Sequence, residues 1–260
     1  MKALKDVQSE KDERRLPLKK VGIKNIEWPL KVLDKTKGHQ YTVAKISLSV
    51  DLRHDIRGTH MSRFVEVLNN FKMLSPAALV EILAEIKDKL QAEKSYLNIC
   101  FPYFLWKESP VSRLSSPLKI QAVIEAESSM MSTITMGVQV PVHTLCPCSK
   151  EISEKGAHNQ RAIVEIYVRS KKMIWFEDLA EIAERSASSP IYALLKRPDE
   201  KFVTEMAYNN AKFVEDVTRD VALELEKDKR IEWYKVQVTS FESIHNHDAF
   251  ACVEKGMTEN

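Results

Sequence analysis

Within residues 139–163, two thiols, the imidazole of His158 and a guanidinium stand on one connection between two strand-like runs. Cys146 and Cys148 stand two apart, and His158 follows ten residues after Cys148. That spacing is tighter than the Cys-x-x-Cys of structural zinc sites, and a closed four-ligand finger would need a second Cys or His pair nearby. Cys100 and Cys252 each stand alone in apolar surroundings, so a structural zinc ribbon is not expected. A metal with one open position is the chemistry these residues could serve, with Cys146 as thiolate and His158 as neutral imidazole supplying two of its donors. The same residues read equally as small side chains in a turn and a satisfied loop histidine. Cys148 is open between a substrate contact, a redox partner of Cys146 and packing, with a role near the site favoured.

A second cluster lies in Ser240–Asp248, where Glu242 and His245 are three apart and His247 follows. Histidine titrates near neutrality, so His245 could shuttle protons as general acid and base with Glu242 assisting. A polar turn with solvated histidines is the plainer reading of the same run. If the strand continued, His247 would face away from His245. Between Arg57 and Arg63, the residues Arg57, His60, Ser62 and Arg63 fall where a strand passes into a helix N-terminus, a natural seat for phosphates, and Lys150, Lys155 and Arg161 could add to it. A charged turn with a capping hydroxyl would look the same.

The elements that must carry these groups follow from periodicity. Residues 21–33 and 41–52 alternate as strands. Phe64, Val67, Leu68 and Phe71 then take helical spacing, as do Leu79, Ile82, Leu83, Ile86 and Leu90 after Ser75-Pro76. Strands are expected again over 96–106 and 118–126, which makes the first half ββααββ. The second half repeats the order: strands at 133–142 and 161–169, helices at 176–188 and 199–227, strands at 231–241 and 249–254. The domain reading is an arm over 1–18, mobile and densely charged, then one unit over 19–130 and a second over 131–260 that carries the metal site. Each unit is expected to be a four-stranded antiparallel sheet with helices on one face. The open edges of such sheets must be paired or hidden, and edge-to-edge closure into barrels would do it.

Composition bounds the partners. The chain of 260 residues carries 39 basic and 37 acidic side chains, a net of +2, so neither nucleic acid nor an anionic membrane is an expected partner. No run approaches the ~18–20 apolar residues of a membrane span, and the charged N-terminal stretch lacks the apolar core of a signal peptide, so a cytoplasmic location with reduced thiols is expected.

The blocks "CPCSKEIS" and "GAHNQR" within 146–161, "RGTHMSRF" at 57–64 and "SFESIHNHDAF" at 240–250 together resemble the type IB GTP cyclohydrolases, the prokaryotic branch of GTP cyclohydrolase I, over nearly the whole chain. The spacer Glu154-Lys155 is the one visible departure and touches only loop contacts. The resemblance implies an α+β tunnelling fold of two tandem ββααββ units, their antiparallel sheets joined into barrels across the subunits of a homo-oligomer, a tetramer with active sites at its interfaces. It implies hydrolysis of GTP to 7,8-dihydroneopterin triphosphate and formate, the first step toward tetrahydrofolate-type pterins and deazapurines. Also implied are Glu200 as third ligand beside Cys146 and His158, one divalent ion (Zn²⁺, Fe²⁺ or Mn²⁺) without an organic cofactor, and a hydroxide aimed at guanine C8. Cys146, Cys148, Glu242 and His245 fall to the catalytic side. Glu215 is implied as the carboxylate that takes the N–H edge of the purine, where a solvated helix acid is the plainer reading, and His60, Ser62, Arg63 and Arg161 fall to substrate binding. The alternatives are a nitrile reductase of the same fold, with a reactive cysteine and a nicotinamide cofactor, and a non-catalytic purine or pterin binder. A zinc nucleobase deaminase is set aside, because neither His-x-Glu nor Pro-Cys-x-x-Cys occurs at the site.

Overall fold

The computed structural model describes residues 5–129 and 132–256. Residues 1–4 of the expected arm lie outside them. Farther along, Lys11 bridges to Ile56, and Arg57 and Gly58 donate their backbone N–H groups to the carbonyls of Glu10 and Gln8 at 3.0 and 3.1 Å.

The chain opens with an antiparallel hairpin of β1 (Leu18–Asp34) and β2 (Gly38–Leu52). Asp34 closes it by accepting from the N–H groups of Thr36 and Lys37 at 2.9 and 2.7 Å, and Gly38, at φ 78°, takes the left-handed position that a side chain would oppose. Next come α1 (Met61–Leu68), the short β3 (Met73–Leu74) and α2 (Pro76–Leu90). Ser75 caps α2 by accepting from Ala78 N at 3.2 Å, with Pro76 in its first turn. Phe64, Val67 and Leu68 of α1 and Leu79, Ile82, Leu83 and Ile86 of α2 are buried, as the spacing predicts. Each such side chain contributes roughly 1.5–3 kcal/mol by leaving water.

The strands β4 (Ser95–Glu108), β5 (Ser115–Ser128) and β6 (Ser132–Leu145) follow, then the short helix α3 (Pro147–Ile152), β7 (Asn159–Ser170), α4 (Phe176–Ser186), β8 (Ser189–Pro190), α5 (Arg197–Asn209), α6 (Val214–Lys227), β9 (Ile231–Ser240) and β10 (Ala249–Gly256). The single helix expected over 199–227 is two. Asn210 leaves helical geometry at φ −117° and ψ 47°, Lys212 N turns to donate to Leu145 O at 3.1 Å, and Asp216 restarts the helix by accepting from Phe213 N at 3.0 Å. A tertiary hydrogen bond thus takes the place of a continued helical ladder.

The tunnelling-fold expectation, an α+β chain of two tandem ββααββ units with separate four-stranded antiparallel sheets, is overturned. The described strands form one ten-stranded mixed sheet in the order β10-β9-β7-β6-β5-β4-β2-β1-β3, with β8 added to β6 and with β3 parallel to β1. The physical reason lies in the edges: strand edges expected to stay open until another subunit closed them are hydrogen-bonded within this chain. By compactness the chain divides into one unit drawing on residues up to Phe101 and on Val123–Thr135, and another drawing on Pro102–Ala122 and on Met136 onward.

In the second unit one ladder matters for the site. Val138, Val140 and Val142 of β6 face Ile166, Val164 and Ala162 of β7, which face Val236, Val238 and Ser240 of β9, and all are buried. Helix α6 lies on β9 and β10 through its buried stripe of Val217, Val221 and Leu225, and α4 lies on β7 and α6. This register brings the end of β6, the start of β7, the end of β9 and the start of β10 to one end of the sheet. Their loops meet there.

Candidate active site

At that end lies a cavity of about 300 Å³. Thr144 comes to it from the end of β6 and Cys146 from the cap of α3, His158 and Gln160 from the residues that open β7, Lys212, Phe213, Val214 and Glu215 from the entry to α6, and Ser240, Glu242, His245, His247, Ala249 and Phe250 from the end of β9 through the start of β10. Residues distant in the sequence, Cys146, His158, Glu215, Glu242 and His245, thus share one wall.

Cys146 is placed from both sides. Its backbone N–H donates to His158 O at 3.1 Å, extending the β6–β7 ladder by one bond, while its sulfur accepts from Ser149 N at 3.4 Å at the head of α3. Ser149 Oγ donates to Cys146 O at 3.2 Å and accepts from His158 N at 3.1 Å, so one hydroxyl holds thiol and imidazole segments together. The stretch expected as a loop is therefore part helix, with Pro147 in the first turn where its missing N–H costs nothing. Cys148 is exposed on α3 and does not line the cavity.

His158 and Glu242 are nearly enclosed, with 14% and 12% of their side chains exposed, and His158 Nδ1 is 3.9 Å from Glu242 Oε2. Gln160 fills the gap: its Oε1 lies 3.1 Å from His158 Nδ1, and its Nε2 donates to Ser240 Oγ at 3.1 Å and Glu242 Oε1 at 3.3 Å. The His158 and His245 rings meet edge to face with centroids 6.4 Å apart, and His247 stacks on His245 at 5.1 Å. A continuing strand would turn His247 away from His245. The strand does not continue: regular pairing stops at Ser240 and the next residues turn, so both imidazoles border the cavity.

Glu215 sits in the first turn of α6, exposed at the cavity wall and without an ion partner among the described residues. Lys212 is committed elsewhere: its ammonium donates to Ser186 O at 2.9 Å and pairs with Asp220 at 2.7 Å. Lys150 is likewise tied to Tyr208 O at 2.6 Å, and Arg161 is exposed at the start of β7. In the first unit, Arg57 pairs with Glu10, Arg63 donates to Lys89 O at 2.7 Å at the end of α2, His60 Nε2 is 3.3 Å from Asp6, and Ser62 is exposed in the first turn of α1.

The expected metal ligands divide. Cys146 and His158 reach the cavity, whereas Glu200 is exposed on α5 and outside the cavity lining. Among the described residues no group of three His, Cys, Asp or Glu side chains is close enough to hold an ion. The set Cys146, His158 and Glu200 is thus not assembled within this chain. The neighbour of Glu200 has a different task. Asp199 is fully buried and accepts from Val111 N, Ser112 N, Ser112 Oγ and Lys196 N at 2.6–2.8 Å. Burial alone would raise its pKa; those four donors outweigh it and hold the carboxyl far below the usual carboxylate range.

Thr144, Gln160, Lys212, Ser240 and His247 line the cavity without having been anticipated. Gln160 had a signal, being two residues from His158 in the same block. Ser240 likewise opens the 240–250 block, whereas Thr144 had none, since only the folded sheet brings its hydroxyl to 3.4 Å from that of Ser240.

Comparison with known proteins agrees with the blocks of residues that meet here. Among solved structures the chain is similar to uricase from Arthrobacter globiformis (TM-score 0.51, 9% identity, 93% of this chain and 94% of that one) and to urate oxidase from Bacillus sp. TB-90 (TM-score 0.55, 9% identity, 93% and 100%). At such identity these likenesses speak to the fold alone, and they replace the tunnelling-fold expectation with a urate-oxidase-like mixed sheet. In sequence, it is 66% identical over 253 residues to GTP cyclohydrolase FolE2 of Dictyoglomus turgidum, covering 97% of this chain and 98% of the relative. It is 64% identical over 253 residues to GTP cyclohydrolase FolE2 of Thermotoga maritima, with the same coverage, and 53% identical over 258 residues to that of Thermosipho africanus, covering 98% and 100%. The family model described as Type I GTP cyclohydrolase folE2 matches residues 4–251, and the chain belongs to that family.

Proposed function

We propose that the protein is a GTP cyclohydrolase of folate biosynthesis, a hydrolase of cyclic amidine C–N bonds that turns GTP and water into 7,8-dihydroneopterin triphosphate and formate. The observation that carries this is one cavity holding Cys146, His158, Glu215, Glu242 and His245 in a chain of the FolE2 family. The Glu215 carboxylate accepts the paired N–H donors of the guanine edge, two donors matching two oxygens. His245, beside Glu242 and His158, moves protons to the ring nitrogens and the ribose oxygen as the imidazole ring of guanine opens at C8 and closes again as the pterin. Cys146 faces the reacting ring and orients it together with His158. His60, Ser62, Arg63 and Arg161 are proposed for the triphosphate on the strength of their charge and hydroxyl donors, and Cys148 for a supporting contact.

A homo-oligomer, a tetramer with its cavities at the seams between copies, is part of the same proposal. Its support is the exposed apolar side chains of the cavity lining, Phe250 at 69% and Phe213 at 43%, and of Ile244, 66% exposed in the loop between Glu242 and His245. Neither a nitrile reductase nor a non-catalytic binder is favoured by any of these observations. No helix among the described residues is long and apolar enough to cross a membrane. The test is incubation with GTP while formate and pterin fluorescence are followed; protein that yields neither under any divalent-ion condition would sink the proposal.

A further inference from the structure

Taking that cavity as the active site, we infer that Gln160 is a positioning residue whose carboxamide dictates the tautomer of His158. Glu242, as a carboxylate, can only accept, so the Gln160 atom 3.3 Å from its Oε1 must be the NH₂ nitrogen. Ser240 Oγ at 3.1 Å takes the second hydrogen of that nitrogen. The carbonyl end is then fixed toward His158 Nδ1 at 3.1 Å and toward Ser243, whose hydroxyl donates to it at 3.3 Å. A carbonyl oxygen can only accept, so Nδ1 of His158 carries a hydrogen, and in the neutral ring it is Nε2 that holds the lone pair. Glu242 Oε2 itself, 3.9 Å from Nδ1, is too far to impose this directly. The amide therefore relays the charge of Glu242 into the choice of which imidazole nitrogen is basic.

Both ends of the relay are anchored in the sheet: Gln160 stands opposite Thr144 in the β6–β7 ladder, and Phe241 N donates to Arg161 O at 3.0 Å beside it. Because the hydrogen-bonding partners are distinct at the two ends, the substitutions Gln160→Glu and Gln160→Leu separate the roles. Glutamate keeps an acceptor for Nδ1 but sets a carboxylate against Glu242; leucine removes both functions.

The experiment is a solid-state ¹³C–¹⁵N spectrum of histidine-labelled wild-type protein without substrate, with His158 assigned by the loss of its signals in His158→Asn. In spectra taken at a pH alkaline enough for the neutral ring to be seen, a protonated Nδ1 and bare Nε2 are expected. The Gln160→Glu protein keeps that pattern while Gln160→Leu gives a mixture, and kcat falls on the order of 10- to 100-fold in both, as for other partners that orient an active-site imidazole, with KM for GTP little changed. A neutral wild-type His158 protonated on Nε2 and bare on Nδ1 overturns the inference, whatever the variants do. So does a Gln160→Leu protein with wild-type spectrum and kcat. The tautomer reading does not depend on turnover, so failure of the proposed activity would leave a different signature: the expected spectrum without formate.

Discussion

The buried pair Lys107–Glu184 offers a sharp energetic test of how β4 and α4 are held together in the second unit. Lys107 leaves β4 and meets Glu184 of α4 at 2.5 Å, with only 12% and 16% of the two side chains exposed. Its ammonium also donates to Ile191 O at 2.8 Å and sits 4.2 Å from the centre of the Tyr192 ring, pinning the segment that leads into α5. Burial pushes the ammonium down and the carboxyl up, so each charge depends on the other to stay ionised. Lys107→Met strands a buried carboxylate, which costs about 3–5 kcal/mol. At about 2–4 °C per kcal/mol for a chain of this size, the melting temperature should fall by roughly 6–20 °C. The double variant Lys107→Met/Glu184→Leu removes the stranded charge and should recover all but about 0.5–1.5 kcal/mol, the remainder being the lost bond to Ile191 O. Calorimetry of wild type, both single variants and the double variant gives the coupling directly. A Lys107→Met protein that melts like wild type, or a double variant no better than the single, would refute the reasoning.

Asp199 gives a pH-dependent companion: its carboxyl is held below its ordinary 3.8, so the stability it adds is present above pH 3.8 and drains away as pH falls toward its lower folded value. Asp199→Asn should therefore melt below wild type at neutral pH and show a flatter acid limb in denaturant titrations between pH 5 and 2. A Cβ added at Gly137 would fall 2.5 and 2.7 Å from ring carbons of Tyr167 on the neighbouring strand, so Gly137→Ala should lose about 1–3 kcal/mol in urea unfolding, and no loss would mean that the ring swings away freely. Replacing one acceptor oxygen by a donor in Glu215→Gln should cost about 1.5–3 kcal/mol of transition-state binding, on the order of a 10- to 150-fold drop in kcat/KM for GTP at unchanged melting temperature. An unchanged kcat/KM would remove Glu215 from guanine recognition.

Periodicity made the amphipathic elements legible, because burial of Phe64, Val67 and Leu68 or of Leu79, Ile82, Leu83 and Ile86 is set by local spacing alone. The break at Asn210–Phe213 was not legible, since nothing in that stretch forbids helix and the deciding bond runs to Leu145, far back in the chain. The single mixed sheet escaped for the same reason: edge pairing is non-local, and alternation tells which face a residue takes but not which strand lies beside it. At the site, the thiol, imidazole and carboxylate blocks announced themselves by residue type. Gln160 was marked only by its place in the His158 block, and its task was not legible, because a neutral amide at the start of a strand looks like any other until its two ends find different partners. Glu200 and its neighbour Asp199 show the reverse: two adjacent acids at the head of α5 are alike in sequence, yet one is exposed and the other buried under four donors.

The most direct measurement is formate released from GTP by wild type and by Cys146→Ala, each with its melting temperature recorded. Stoichiometric formate from wild type and none from an equally stable Cys146→Ala protein is the expected result. Equal release from both would place the chemistry outside the cavity between β6, β7, α6 and the β9–β10 connection.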